Sequence, residues 1–226
     1  VWNLEFSFKP LRMIAVDMPQ PDGKLAPKIV WYMVYRIRYH GQDIRPAGRK
    51  DEYGNVTFPS IERFSRGDRR FMPNFVLDAV EFDKSYLDRI IPAAKPVIAA
   101  REKVGRPLYN SVEMTEQTLE RWTSEKDTSV WGVVTWVDLD PRIDFFSIYI
   151  RGLTNAFRLA DAELGDNPNV LGKTLRLNFW RPGDAIRQLD DEIRFGVPIK
   201  SEVEGQVKIL NRYGLEERLD HLWVYR

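Results

Sequence analysis

Ile29-Val30-Trp31-Tyr32-Met33-Val34-Tyr35-Arg36-Ile37-Arg38-Tyr39 is an unbroken run of β-branched and aromatic side chains that ends only at His40-Gly41. Such residues fit a pleated, packed surface. Trp31, Met33, Tyr35, Ile37 and Tyr39 share one parity, and Tyr32, Val34, Arg36 and Arg38 share the other. The first half is therefore apolar on both faces and the second half on one, the pattern of a central strand whose end emerges beside solvent.

Working outward, Trp2, Leu4, Phe6 and Phe8 alternate with Asn3, Glu5 and Ser7, which predicts a strand with one wet face. Pro10 restricts the backbone before an extended run over 11–16, giving one bent edge strand or two short ones. Residues 18–24 read as a turn, 41–57 as a polar hairpin arm or loop, and 60–70 as its basic continuation. A strand is expected over 74–80. Ser85 caps a single helical turn over 85–91 that Pro92 and Pro96 stop, and 97–100 reads as a short strand. The best helix is 113–122, where Met114, Thr118, Leu119 and Trp122 recur every three or four residues. Strands over 130–137 and 143–150, joined by Asp138-Leu139-Asp140-Pro141-Arg142, read as a hairpin, and 174–180 and 221–225 supply further strands.

Roughly ten to twelve strand candidates against two or three short helices, without regular alternation, exclude doubly wound and barrel α/β folds. The expectation is a mainly β fold, an antiparallel β-sandwich of immunoglobulin-like type with long loops at 41–70 and 105–128. It reads as one β-rich domain over 1–226, or as two lobes meeting near 102–128.

At 226 residues and 43% hydrophobic, the chain has enough apolar surface for a full core. Cysteine is absent, which excludes disulfide staples and thiolate chemistry. Thirty-four basic and 33 acidic residues leave a formal charge of +1, against a dedicated nucleic-acid binder. No apolar run approaches the ~20 residues of a membrane-spanning helix. With Val1 at position 1 rather than methionine, removal of a leader stays open, and a periplasmic or extracellular location is expected, with the cytoplasm as the alternative.

Candidate chemistry is thin. Asp138, Asp140 and Asp144 are the one tight carboxylate group beside a strand end and are the candidate calcium ligands, since hard cations take several oxygens. The plainer reading is a solvated turn whose aspartates bond their own backbone. Asp190, Asp191 and Glu192 form a second acidic group, and one carboxylate from each would be needed for glycosidase-like hydrolysis. His40 and His221 are the only imidazoles, and the Gly-x-Ser-x-Gly, His-Glu-x-x-His, Gly-x-Gly-x-x-Gly and phosphate-loop patterns are all missing. Arg63, Arg66, Arg69 and Arg70, interleaved with Phe64 and Phe71, are the candidate anion or partner contact, and the alternative is a solvated loop anchored by its rings. Seven tryptophans and nine tyrosines keep a carbohydrate-binding reading open, although Trp31, Trp131, Trp136 and Trp180 lie in strand patterns and are expected to pack.

Trp31-Tyr32-Met33-Val34-Tyr35-Arg36-Ile37-Arg38, the stretch from Val137 through Phe146 with Gly152-Leu153-Thr154-Asn155-Ala156, and Leu175-Arg176-Leu177-Asn178-Phe179-Trp180-Arg181-Pro182-Gly183-Asp184 together resemble uncharacterised exported or envelope-associated proteins of planctomycete-type bacteria. The resemblance implies export and carries no activity.

The sequence thus leads to a non-catalytic structural or protein-interaction module, an accessory subunit of a larger assembly with a protein partner or self-association. A carbohydrate-binding module with a structural calcium is the first alternative, and a carboxylate-dependent hydrolase the second. The terminal segments 2–8 and 222–225 are the expected places for adding to a partner's sheet edge.

Overall fold

Leu25–Arg38 forms one 14-residue strand, β3, and the first sheet is built on its two edges. The computed structural model describes residues 1–64, 68–160, 169–183, 189, 191–198 and 218–226. β1 (Glu5–Phe8) pairs with the 35–38 end of β3 and β2 (Arg12–Pro19) with its 25–32 end, both antiparallel, so two short strands lie end to end along one edge on either side of Pro10. β11 (Val130–Val137) fills the opposite edge antiparallel, and β9 (Leu108–Tyr109) adds to β11 in parallel.

The second sheet is centred on β14 (Val170–Trp180). β12 (Phe145–Arg151) and β13 (Phe157–Leu159) follow one edge of it, and β15 (Arg194–Phe195) and β18 (His221–Tyr225) the other. β7 (Asn74–Ala79) pairs with β12, and β8 (Lys84–Leu87) with β7. Three two-stranded pieces complete the described strands: β4 (Asp43–Lys50) with β5 (Val56–Phe64), β6 (Asp68–Arg70) with β10 (Thr118–Glu120), and β16 (Val197–Pro198) with β17 (Arg218–Leu219). The fold is mainly β, and its described strand pairs are antiparallel apart from β9 on β11.

The two parities of β3 face different neighbours. Trp31, Met33, Tyr35 and Ile37 share one apolar cluster with Phe75 and Leu77 of β7, Phe146 and Ile148 of β12, and Leu177 and Phe179 of β14. Ring contacts cross between the sheets, Trp31 with Phe146 at 5.4 Å and Tyr35 with Phe75 at 5.1 Å. Val30, Tyr32 and Val34 turn the other way, onto Ala94 and Ile98 of helix α1 (Ala94–Glu102). Burying each such side chain on this scale stabilises by about 1.5–3 kcal/mol, and the double burial explains why the run is apolar at every position. Residues on both sides of the 102–128 stretch contribute to the first cluster.

Several expected elements differ. The strand expected over 97–100 lies inside α1, because Pro96 sits in the first helical turn, where its missing N–H breaks no intrahelical bond. The helical turn expected from Ser85 is strand β8. The helix expected over 113–122 is shorter and earlier: α2 (Ser111–Glu116) starts at Asn110, whose Oδ1 accepts from the backbone N–H of Glu113 at 2.9 Å while Glu113 accepts from that of Asn110 at 2.9 Å. Gln117 then turns extended, and Leu119 is buried from a strand. Finally, 130–137 and 143–150 do not form a hairpin. β11 already has β3 and β9 on its edges and β12 has β7 and β14, so the 138–144 turn crosses from one sheet to the other.

No described helix is long and apolar enough to cross a membrane.

Candidate functional site

The segment after β3 leaves the body of the protein as an arm, and its root is held by a buried ion pair. Asp43, the first residue of β4, is 1% exposed; it accepts from the Tyr39 hydroxyl at 3.0 Å and pairs with the Arg69 guanidinium. Arg69 lies over the rings of Trp2 and Tyr39. The backbone N–H of Ile44 donates to the carbonyl of Val1 at 2.9 Å. Each of these partners comes from a different part of the chain, so the root is fixed.

Beyond the root the arm has little support from the body. Among the described strands β4 and β5 pair only with each other, and every residue of β5 from Val56 to Arg63 is exposed. The tip is ordered locally: Asp51 accepts from the backbone N–H groups of Tyr53 and Asn55 at 2.9 and 2.8 Å, and Gly54 takes a φ of +83°. Those bonds, the one from Asn55 first, hold the Asp51 carboxyl below its ordinary range. The arm nevertheless carries large apolar side chains in water, with Tyr53 81%, Ile61 68% and Phe58 63% exposed. Val56 and Phe58 lie against Gly48, where a Cβ would come within 3.3 and 3.4 Å of them. An isolated two-stranded hairpin is marginal in water, and an apolar one is a binding surface or an aggregation hazard. Pro46 and Pro59 remove ladder donors from its two open edges. The arm is thus suited to contact through side chains rather than by taking up an added strand.

The four arginines of the expected anion site do not act together. Arg69 is spent on Asp43, Arg63 is exposed on β5, Arg70 is exposed on β6, and Arg66 lies outside the described residues. Phe71 is a core residue and Phe64 lies under Arg45.

The acidic turn is divided among cations. Asp138, with a φ of +61°, pairs with Lys28 at 2.7 Å and Arg89 at 3.6 Å. Asp140 pairs with Arg142 at 2.8 Å and Lys84 at 3.3 Å, and the bonds from Arg142 hold its carboxyl well below the usual range. Asp144 is exposed, its backbone N–H donating to Glu81. Among the described residues no group of three His, Asp or Glu is gathered to hold a metal ion. Asp190 lies outside the described residues, Glu192 pairs with Arg194, and Asp191 accepts from Arg181.

Arg181 is one of three charged or polar centres that sequence reasoning missed. It is 1% exposed and grips the crossing turn, donating to the carbonyls of Ile143 (3.2 Å) and Pro141 while pairing with Asp191 at 3.2 Å. Glu102 is the second: buried, it takes the Tyr32 hydroxyl at 2.8 Å, Arg12 at 3.1 Å and Lys9 at 3.2 Å. Burial alone would raise its pKa, but those donors outweigh it and the net shift is downward, while the Tyr32 phenol is pushed up to about 12. Asp88 is the third, with a carboxyl raised by burial and partly restored by the Ser111 hydroxyl, beside a cavity of about 20 Å³ that has room for a single water. A broader groove of about 740 Å³ is lined by Phe8, Leu11, Phe179, Trp180 and Phe195, and its only described ionisable residues, Glu192 and Arg194, pair with each other.

The aromatic platform is largely covered. Trp31 and Trp136 are buried. The other five tryptophans each carry a cation over a ring: Arg69 on Trp2, Arg38 on Trp122, Arg36 on Trp131, Arg194 on Trp180 and Lys173 on Trp223. His40 pairs with Glu5 at 2.6 Å, and His221 is exposed on β18. The N-terminal segment expected at a partner's edge is tied internally, by β1 on β3 and by Leu4 N–H to the Leu153 carbonyl at 2.8 Å. β18 pairs with β14 alone among the described strands.

No protein-family model matches the chain, and no curated protein or solved structure is similar to it.

Proposed function

We propose that the chain is a non-catalytic protein-interaction module, accessory to a larger assembly, whose β4–β5 arm seats against an apolar surface of another protein chain. The carrying observation is the contrast within that arm: a root locked by Asp43 and Arg69, and beyond it Tyr53, Phe58 and Ile61 exposed on an ordered two-stranded scaffold. Charge does not explain the arm, because Arg45 pairs with Glu62 across it and Asp51 and Glu52 balance Arg49 and Lys50. An apolar partner surface is what its side chains match. Asp138, Asp140 and Asp191 are engaged by cations and Asp88 by the Ser111 hydroxyl, which favours binding over catalysis.

The finer fold reading, an antiparallel sandwich of immunoglobulin-like type, is supported by one apolar cluster shared between two antiparallel sheets. An exported or envelope location is supported by the resemblance in sequence alone.

Size-exclusion chromatography with light scattering, on protein taken from its native host, tests the function. Wild-type protein should elute well above the 26.5 kDa of one chain, whereas Phe58→Ser/Ile61→Ser, with an unchanged circular-dichroism spectrum, should elute as the single chain. A wild-type protein that runs as a clean monomer without a companion overturns the reading. So does a double variant that keeps its companion.

A further inference from the structure

We propose that one end of the second sheet binds an acidic polysaccharide through Arg151, Arg176 and Arg226. The three come together on the face of that sheet turned away from the core. Tyr149 of β12 stands opposite Arg176 of β14, on the parity that does not enter the core cluster. The Arg176 and Arg226 guanidiniums both lie over the Tyr149 ring, at 5.7 and 4.1 Å from its centroid. Arg151 lies over Gly172, where a Cβ would sit 2.7 Å from its Nη2, so that seat exists only because residue 172 has no side chain. Gly172 in turn exchanges two backbone bonds with Arg226, which fixes Arg151 and Arg226 beside each other.

None of the three has an ion-pair partner among the described residues, although half of the described carboxylates hold a cation. Only the Nε of Arg176 is used, donating to Ser147 Oγ at 3.0 Å and Asn178 Oδ1 at 2.9 Å. Its terminal amino groups, and those of Arg151 and Arg226, have no hydrogen-bond acceptor among the described residues. Like charges held side by side repel until an anion relieves them. Arginine's planar fork suits carboxylate and sulfate oxygens in paired contacts.

Three guanidiniums without an ion-pair partner among the described residues, drawn from three stretches of the chain onto one sheet face, fit a polymer with repeating charges better than a lone ion. It suits a nucleic acid poorly. Base stacking needs bare rings, and the site's own ring, Tyr149, carries two guanidiniums over it. A flat sheet face also offers no helix or ribbon for the major groove of a duplex. An acidic polysaccharide needs only the charge. This site is separate from the arm, so its fate does not depend on the function proposed above.

Fluorescence anisotropy with labelled heparin, polygalacturonate, neutral dextran and a single-stranded oligonucleotide tests it on the full chain. Wild-type protein should bind heparin or polygalacturonate, the tighter of the two identifying sulfate or uronate as the ligand group, and should not bind dextran. Arg151→Gln/Arg226→Gln should weaken that binding by at least about tenfold and flatten its dependence on salt. This pair leaves the Arg176 bonds to Ser147 and Asn178 intact, so its folding is secure, and a thermal melt confirms it. Arg49→Gln/Lys50→Gln on the arm removes the same net charge and should leave binding unchanged. The proposal is overturned if neither polysaccharide binds, if dextran binds equally, if the arm variant loses as much as the sheet variant, or if the oligonucleotide binds more tightly than both polyanions.

Discussion

Glu102 is the residue on which acid sensitivity should turn. Its carboxyl, ordinarily near 4.5, is lowered in the folded protein. A depressed folded value means that its stabilisation is present above the unfolded value and is lost as pH falls through the folded one. Glu102→Gln should therefore cost about 1–3 kcal/mol at neutral pH, and urea melts should show that gap closing below pH 4.5. Asp88 has the opposite sign, since burial raises its carboxyl. Asp88→Asn should keep a partner for Ser111 and stabilise the protein at neutral pH, the gain vanishing as pH falls into the range where Asp88 is protonated anyway. Arg181 has no such freedom. Arg181→Ala would leave the partly buried Asp191 without its cation and two carbonyls without a donor, at a cost of about 3 kcal/mol in the same melts. None of the three is visible in sequence, because Glu102 lies 70 residues from Tyr32, Asp88 23 from Ser111, and Arg181 38 from Ile143. A lone charged residue beside a strand looks the same whether it ends in solvent or in a clamp.

Elements separate into those whose own pattern determines them and those decided by neighbours. The alternating faces of β3 are written in its side chains, and both are buried as that pattern predicts. The arm likewise follows from polar residues around Gly48 and Gly54. α1 is hidden because two prolines in 92–96 read as breakers when one of them occupies a helical first turn. α2 and β10 merge into one false helix because Met114, Thr118, Leu119 and Trp122 fall near a helical spacing although Met114 is buried from a helix and Leu119 from a strand. Two expectations belong to this scale. Gly132 of β11 lies under Tyr35 of β3, where a Cβ would be 2.3 Å from the ring, so Gly132→Ala should cost about 1–3 kcal/mol through forced displacement. Hydrogen exchange should grade the strands: amides of β5 exchanging fastest, those of β3 only on global unfolding, and the arm gaining protection when its partner is present.

For the whole molecule, composition and strand count were enough to establish a mainly β protein, yet not which strands are neighbours. Sequence adjacency suggested that 130–137 pairs with 143–150, whereas each had edges already filled by strands from far away. The candidate sites were read the same way: among the carboxylates and arginines chosen for closeness in sequence, Asp138 pairs with Lys28 and Arg69 with Asp43, elsewhere in the chain, while the Arg151, Arg176 and Arg226 cluster draws on three separate stretches. That long-range pairing also sets an order of events during synthesis. Residues 30–37 must wait for 130–137 before the far edge of β3 is covered, which at ribosomal speeds is a delay of roughly 5–20 s. Throughout it, an apolar edge strand stands open beside a hairpin arm that closes locally in microseconds. A nascent chain arrested at residue 129 should therefore engage holding chaperones on the ribosome, and one arrested late enough for β11 to clear the exit tunnel should release them.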